Sequence, residues 1–495
     1  MSARMWCIAI GLMLALPAFA EPEPAAAPAK PAVVDQCFAC HRDGGGAETR
    51  DWSADVHFAE GISCAGCHGG DPTAEDQDAA MSKSHGYRGK FRKSDIPAVC
   101  GQCHGAKQTA LGSRYKLTAV SDSLMAGVHG QALLQSEAGP QCVSCHGVHG
   151  ILRASDPRSP VHPLQVAKTC AKCHSSAAYM RDFDPRVAVD QYEKYLTSVH
   201  GKGNKSGDAR TATCVSCHSN HLIHKVKDPR SPVYATRIPE TCSNCHSDAK
   251  YMARYKIPTD QYAKYKKSRH GIALLEHSDL NAPACNSCHG NHGAVPPGPA
   301  STVAICGNCH QSNAELYEKS AHKDAFAKKG LSACVVCHGN HLVESPTDKM
   351  VGFAPEGPCA KCHRNDATDK SAASILELRA VLDSLNAAQD EATQLLERAE
   401  QLGMDVSDAR YELKGAHQAL VQSRVAIHTF RLADLAVVAR PGIDVVTGAR
   451  KAANDAIQDY YFRRKGLAIS TLIVTLVAIL LFLKIKEIDK ADSKK

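Results

Sequence analysis

Cys142-Val143-Ser144-Cys145-His146-Gly147-Val148-His149 sets two thiols three residues apart, an imidazole directly after the second, and another imidazole three residues further on. One helical turn of about 3.6 residues puts both sulfurs along one edge of a flat macrocycle and turns the next imidazole beneath its centre. Those are the needs of a covalent c-type haem, which takes two thioethers on its vinyl groups and a histidine on its iron. A single match could equally be half of a zinc site. The Cys-x-x-Cys-His motif occurs eleven times, each time with its histidine, and haem is the reading that survives repetition.

The thioether positions are Cys37 and Cys40, Cys64 and Cys67, Cys100 and Cys103, Cys142 and Cys145, Cys170 and Cys173, Cys214 and Cys217, Cys242 and Cys245, Cys285 and Cys288, Cys306 and Cys309, Cys334 and Cys337, and Cys359 and Cys362. The proximal ligands are His41, His68, His104, His146, His174, His218, His246, His289, His310, His338 and His363. The motifs use every one of the 23 cysteines except Cys7, so no thiol is left for a disulfide framework. Eleven haems c are the expected cofactors, and their attachment points to an extracytoplasmic compartment.

The chain repeats itself. Asp156-Pro157-Arg158-Ser159-Pro160-Val161 recurs 72 residues later as Asp228 to Val233, and Asp190-Gln191-Tyr192 recurs as Asp260-Gln261-Tyr262. Each unit holds an x-His-Gly segment, a motif extended to Cys-x-x-Cys-His-x-x-His, a Pro-bearing loop and a second motif. The motifs therefore pair: Cys142 with Cys170, Cys214 with Cys242, Cys285 with Cys306, Cys334 with Cys359, and, more divergent, Cys64 with Cys100. Cys37 stands alone. Loops rich in Gly, Pro, Asn and Ser dominate, and Tyr192 to His200 and Tyr262 to His270 are the clearest helices. Such a chain has little side-chain core, so the haems must supply most of the buried apolar surface.

Second axial ligands come from the remaining histidines. The repeat nominates His129, His200, His270 and His322 before the first motif of a pair, and His149, His221, His292 and His341 after it. A histidine three residues past the proximal one stays on the proximal side and should reach a neighbouring haem. His57 and His85 are the equivalents in the first pair. The Cys37 haem lacks a ligand by pattern, with His162, His224, His277, His417 and His428 as candidates.

Both ends carry apolar runs. Residues 1–20 read as a signal peptide, with Arg4, an apolar stretch from Ile8 to Leu16, and Ala18-Phe19-Ala20 at the cleavage site. Residues 21–35 form a Pro/Ala-rich leader. Residues 466–483 carry no charge and, at about 1.5 Å per residue, reach about 27 Å, enough to cross a bilayer core. Tyr460, Tyr461 and Phe462 precede them like an interfacial belt. The expected orientation puts the haems outside and the short lysine-rich tail, residues 484–495, in the cytoplasm. The formal charge of +7 is no nucleic-acid signal. Signal cleavage and about −1 from each ferric haem bring the mature protein near −5.

From Ser371 the composition turns to Ala, Leu, Glu and Gln. Leu378, Leu382, Leu385, Ala388, Ala392, Leu395, Ala399 and Leu402 keep a three/four spacing, as do Val406, Ala409, Leu413, Ala416, Leu420, Ser423, Ile427 and Phe430. Two helices joined at Gly403 imply an antiparallel hairpin over 371–440, which Pro441-Gly442 should end before a membrane-proximal helix over 441–465. Arg410, His417, Arg424 and Arg431 recur every seven residues on one stripe, with His428 on the same side. The stripe reads either as a solvated face or as a face laid against haem propionates.

Residues 36–366 together resemble the multihaem c-type cytochromes of bacterial respiration that carry paired Cys-x-x-Cys-His motifs. The expected fold is mainly α with a large irregular content: a haem-packed domain, a helical hairpin and one transmembrane helix. The long helices after the last haem also resemble the pentahaem nitrite reductases and octahaem hydroxylamine oxidoreductases, although the Cys-x-x-Cys-Lys motif of the former is absent. The quinol-oxidising tetrahaem family carries its anchor at the other end. The resemblance implies an electron carrier on the periplasmic side of the inner membrane. Its partners would be redox proteins: a quinol-oxidising membrane donor and a periplasmic or outer-membrane acceptor cytochrome. The alternatives are a reductase or oxidase of a small nitrogen or sulfur compound at one open haem, and a haem scaffold subunit of a quinone-linked complex.

Overall fold

The computed structural model describes residues 35–106, 119–355 and 357–493. The expected signal peptide, nearly all of the leader, Lys494 and Lys495 lie outside the described residues. Among the described residues the regular structure is helical throughout, broken by long loops and without a strand. The chain divides into two compact units, Met1–Cys173 with Asn220–Ile223, and His174–Ser219 with His224–Lys495.

Helices in the first unit are short, among them Gln36–Asp43, Ile96–His104, Val128–Gln135 and Cys142–His146. None is long enough to stand alone in water, so each depends on what it packs against. An aromatic cluster does part of this: Trp52 packs edge-on against Phe58 and His149, Phe38 against Phe58, and Phe91 stacks on His68 at 4.9 Å. Repeats are stitched by one recurring backbone bond. Val56 N–H donates to the Ile151 carbonyl, and Val128 N–H to the Ile223 carbonyl.

The second unit uses the same stitch twice more, from Val199 N–H to Ala294 and from Arg269 N–H to Val343. In each case the donor directly precedes a histidine, and the acceptor lies two residues after an x-x-His. One bond therefore fixes two histidines. The helix expected over Tyr192 to His200 is two helices, Gln191–Thr197 and Val199–Lys205, and Gln261–Lys267 and Arg269–Leu275 repeat the break. Ser198 and Ser268 make it. Each is extended and buried, and its hydroxyl accepts the N–H of Gly201 or Gly271 as an N-cap. A Cβ on Gly201 would collide with the Tyr195 carbonyl, so the two helices cross only because glycine is there.

The expected hairpin is present as Ala372–Gln401 and Ser407–Ala426, and a third helix, Leu432–Asp492, packs on it to make a three-helix bundle. Leu385, Ala392, Leu396 and Ala399 interdigitate with Leu413, Ala416 and Leu420, and with Ala439, Val446, Ala449 and Ala453. Pro441 does not end the third helix. It removes one N–H, but Val437, whose carbonyl loses that donor, is 74 % exposed and open to water. Gly442 serves packing: a Cβ there would lie 2.6 Å from Ala419 Cβ and 3.2 Å from Leu385 Cδ1. Gly442→Val should therefore cost the bundle about 1–3 kcal/mol by overpacking, read as a lower unfolding temperature of the bundle transition.

Bundle packing stops at Ile457, the last buried residue of the third helix. Beyond it Leu467, Leu472, Val474, Leu480 and Leu483 are all more than half exposed, on every side of the helix. A helix that is apolar all round and covered by nothing among the described residues has the character of a single-pass membrane anchor.

Candidate haem sites

First-of-pair motifs fold as one short helix, such as Cys142–His146, Cys214–His218 and Cys285–His289. The next residue throws the chain out with a positive φ, 82° at Gly147 and 67° at Ser219. That turn carries the following histidine away from its own motif.

Proximal imidazoles face second imidazoles at a nearly constant distance. In one series the ring centroids of His68 and His149 are 6.1 Å apart, His146 and His221 6.1 Å, His218 and His292 6.1 Å, and His289 and His341 6.0 Å. In the other, His104 and His57 are 6.3 Å apart, His246 and His200 6.2 Å, His310 and His270 6.2 Å, and His363 and His322 6.1 Å. A metal–nitrogen bond of about 2 Å, plus roughly 1.1 Å from nitrogen to ring centre, would put two axial imidazoles of one iron about 6.2 Å apart. The residues present fit a haem iron between them.

Residues 56–175 match the family model of cytochrome c3. Over these residues the chain is a multihaem c-type cytochrome. Covalently bound haem c is the cofactor of that class. The matched stretch holds the motifs at Cys64, Cys100, Cys142 and Cys170, and the internal repeat carries the pattern on to Cys359. No curated protein and no solved structure matches the chain.

Ring angle separates the two series of this cytochrome except for one 38° pair in each. First-of-pair sites hold their imidazoles at 38°, 14°, 11° and 6°, and second-of-pair sites at 87°, 62°, 38° and 86°. The register is also fixed. Each x-x-His faces the proximal histidine of the preceding repeat, so His149 meets His68 and His341 meets His289. The sequence pattern had left that neighbour unnamed.

Burial holds His104, His146, His218, His246 and His338 below the usual histidine range, hence neutral, as an iron ligand must be. The outer nitrogen of several rings is anchored. His68 Nδ1 pairs with the Gly89 carbonyl, His289 Nδ1 with Val295, and His363 Nδ1 with Asp369. Such bonds fix tautomer and ring orientation. The firmest is at His57, whose Nδ1 lies 2.9 Å from Oδ1 of the fully buried Asp55. Burial pushes the Asp55 carboxyl up, but the His57 side chain and the N–H groups of His57 and Ile151 outweigh it and hold the carboxyl below its ordinary range. The Ile151 N–H reaches Asp55 beside the Val56–Ile151 stitch, so one carboxylate orients His57 and ties down the His149 loop.

Thiols of successive motifs adjoin. Cys100 and Cys142, Cys242 and Cys285, and Cys306 and Cys334 lie close enough for each thiol to act on its partner's ionisation.

Other expected positions fall differently. His129 keeps the repeat register, since the N–H before it makes the Ile223 stitch. His85 is exposed, with Nδ1 on the Ala79 carbonyl, and His41 is half exposed, with Nδ1 2.8 Å from Glu48. Among the described residues no second ring faces either at the spacing above. Of the histidines considered for the Cys37 haem, His162 is buried and accepts the Leu164 N–H, His224 lies 3.7 Å from Asp228, and His277 and His417 are exposed. His428 faces His338 at 6.2 Å. On the basic stripe, Arg410 pairs with Glu400, Arg424 with Asp348 and Arg431 with Asp434.

Proposed function

We propose that the protein is a membrane-anchored electron relay carrying eleven covalent haems c on the periplasmic side of a bacterial inner membrane, within a respiratory chain. The supporting observation is the pairing of imidazoles at one constant spacing, repeated along the chain and joined by adjoining thiol pairs. When bound, haem iron takes up and releases one electron at a time. The chain's own residues hold spacing, fix ligand orientation and exclude water.

In this reading His149, His221, His292 and His341 are second ligands of the haems at Cys64, Cys142, Cys214 and Cys285. His57, His200, His270 and His322 serve those at Cys100, Cys242, Cys306 and Cys359, and His129 is a second ligand by register. Two histidines saturate an iron, lower its potential relative to Met/His ligation and leave no substrate position. Relay therefore fits better than catalysis. Donor and acceptor would be redox proteins, one of them quinol-oxidising in the membrane, the other a periplasmic or outer-membrane cytochrome.

By elimination His85 falls to the Cys37 haem, since the other histidines nominated by the repeat serve other irons in this scheme. The Cys37 helix is bonded to the loop after the second motif through Gln36 N–H and the Pro72 carbonyl. The same loop holds the His85 carbonyl through Gly70 N–H, and Asp71 acts electrostatically on both Cys37 and His85.

Intact mass of the mature protein tests the count. It should exceed the polypeptide by eleven haems of about 616 Da each, since vinyl addition loses no atoms. A total of nine or fewer contradicts the pairing scheme. His85→Ala should turn one low-spin iron high-spin. An unchanged spectrum, with one high-spin iron already in wild type, would favour an enzyme with an open Cys37 haem.

A further inference from the structure

The repeat logic leaves one site incomplete. Each first-of-pair haem draws its second imidazole from the x-x-His of the following repeat, and no repeat follows Cys334. The proximal histidine there, His338, nevertheless faces a second ring, that of His428, with centroids 6.2 Å apart and planes 21° from parallel. That spacing matches the haem sites above, and the angle falls in the first-of-pair series.

His428 belongs to the three-helix bundle. It sits in the turn Ile427–Thr429, between the second and third bundle helices. Its Nδ1 is 2.9 Å from the Val425 carbonyl, which leaves Nε2 as the nitrogen able to bind a metal. The Asn313 amide nitrogen lies 3.4 Å from that Nε2. Two residues on, Phe430 takes the left-handed conformation, φ 53°, and lays its ring 4.1 Å from His322, which faces His363 of the last motif. One turn thus reaches both haem sites of the last pair, as the next repeat's loop does elsewhere. The turn is clamped in place. Arg424 grips Asp348 through two nitrogens at 2.9 and 2.8 Å, and Arg379 donates to the carbonyls of Asp348 and Val351, all in the loop between the last two motifs.

We propose that His428 is the second axial ligand of the haem carried by Cys334 and Cys337, so that the helical bundle completes the haem array. This rests on the reading of Cys334 as a haem site. It makes the bundle a haem-binding element, and the helix that leads to the membrane starts at Leu432, four residues beyond the ligand. With His428 and His85 included, eleven proximal and eleven second histidines account for all but His162, His224, His277 and His417.

The test is His428→Ala in the full-length, haem-loaded protein, with His292→Ala as the comparison. His428→Ala should convert one of eleven irons to high spin, create one carbon-monoxide-binding ferrous haem, and remove one member of the near-parallel class. Added imidazole should restore low spin, which it would not do for a residue that merely props the fold. His428→Met should keep that iron low-spin with a raised potential. It decides the matter if the alanine variant does not accumulate. If His292→Ala yields a high-spin iron and neither His428 variant changes spin state, carbon monoxide binding or potential, the assignment is overturned while the relay reading stands. If His292→Ala also has no effect, the relay's ligand scheme itself fails.

Discussion

Made in cells that cannot attach haem, the chain should keep its bundle and lose the rest of its fold. Among the described residues, twelve hydrophobic side chains are buried before residue 372, against twenty-one between Ala372 and Ile457. Ordering roughly 300 residues costs on the order of 1–2 kcal/mol each. Twelve side chains at about 1.5–3 kcal/mol each cannot offset that. The missing apolar surface is that of the macrocycles, and the bundle has a core of its own. Hydrogen exchange followed by mass spectrometry checks this. Protection should survive over 372–457 and vanish over most of 36–366. Protection across the motif region without haem would contradict a haem-built core.

The second large effect is partition. A chain ending at Lys465 should leave the membrane fraction and carry its full haem complement, an all-or-none change measured by fractionation after a salt wash. Every motif precedes the apolar segment, and bundle packing ends at Ile457, so the cut removes no buried contact. Retention of the truncated chain would mean that something other than this helix holds it.

Much of this was legible in residues. The motif spacing is a covalent requirement, so it reads directly. That the x-x-His ring faces a neighbouring motif also reads directly, because a ring three residues on cannot turn back over its own motif. Which neighbour it meets was not legible, since the Ile151, Ile223, Ala294 and Val343 stitches that set the register are bonds of carbonyls, not of side-chain type. Nor was a partner for His338 legible, since no further x-x-His follows Cys334 and the ring that faces His338 is that of His428. His428 carries no motif, and only the fold of the bundle turn brings it to His338. Pro441-Gly442 looked like a helix stop. The signal failed because tertiary packing wanted a small residue at Gly442 and water could satisfy the Val437 carbonyl. Ser198 hid its cap inside an apparently continuous helical stretch for want of any cue beyond one hydroxyl.

Every iron should sit between two histidines, near-parallel in most first-of-pair sites and steeply crossed in most second-of-pair sites. EPR of the fully oxidised protein tests it most directly. Near-parallel imidazoles split the iron orbitals and give rhombic low-spin signals, whereas crossed imidazoles leave them nearly degenerate and give strongly anisotropic ones. Both classes should appear together, with no stoichiometric high-spin iron. Two or more high-spin irons per chain, or a single uniform low-spin class, would contradict it.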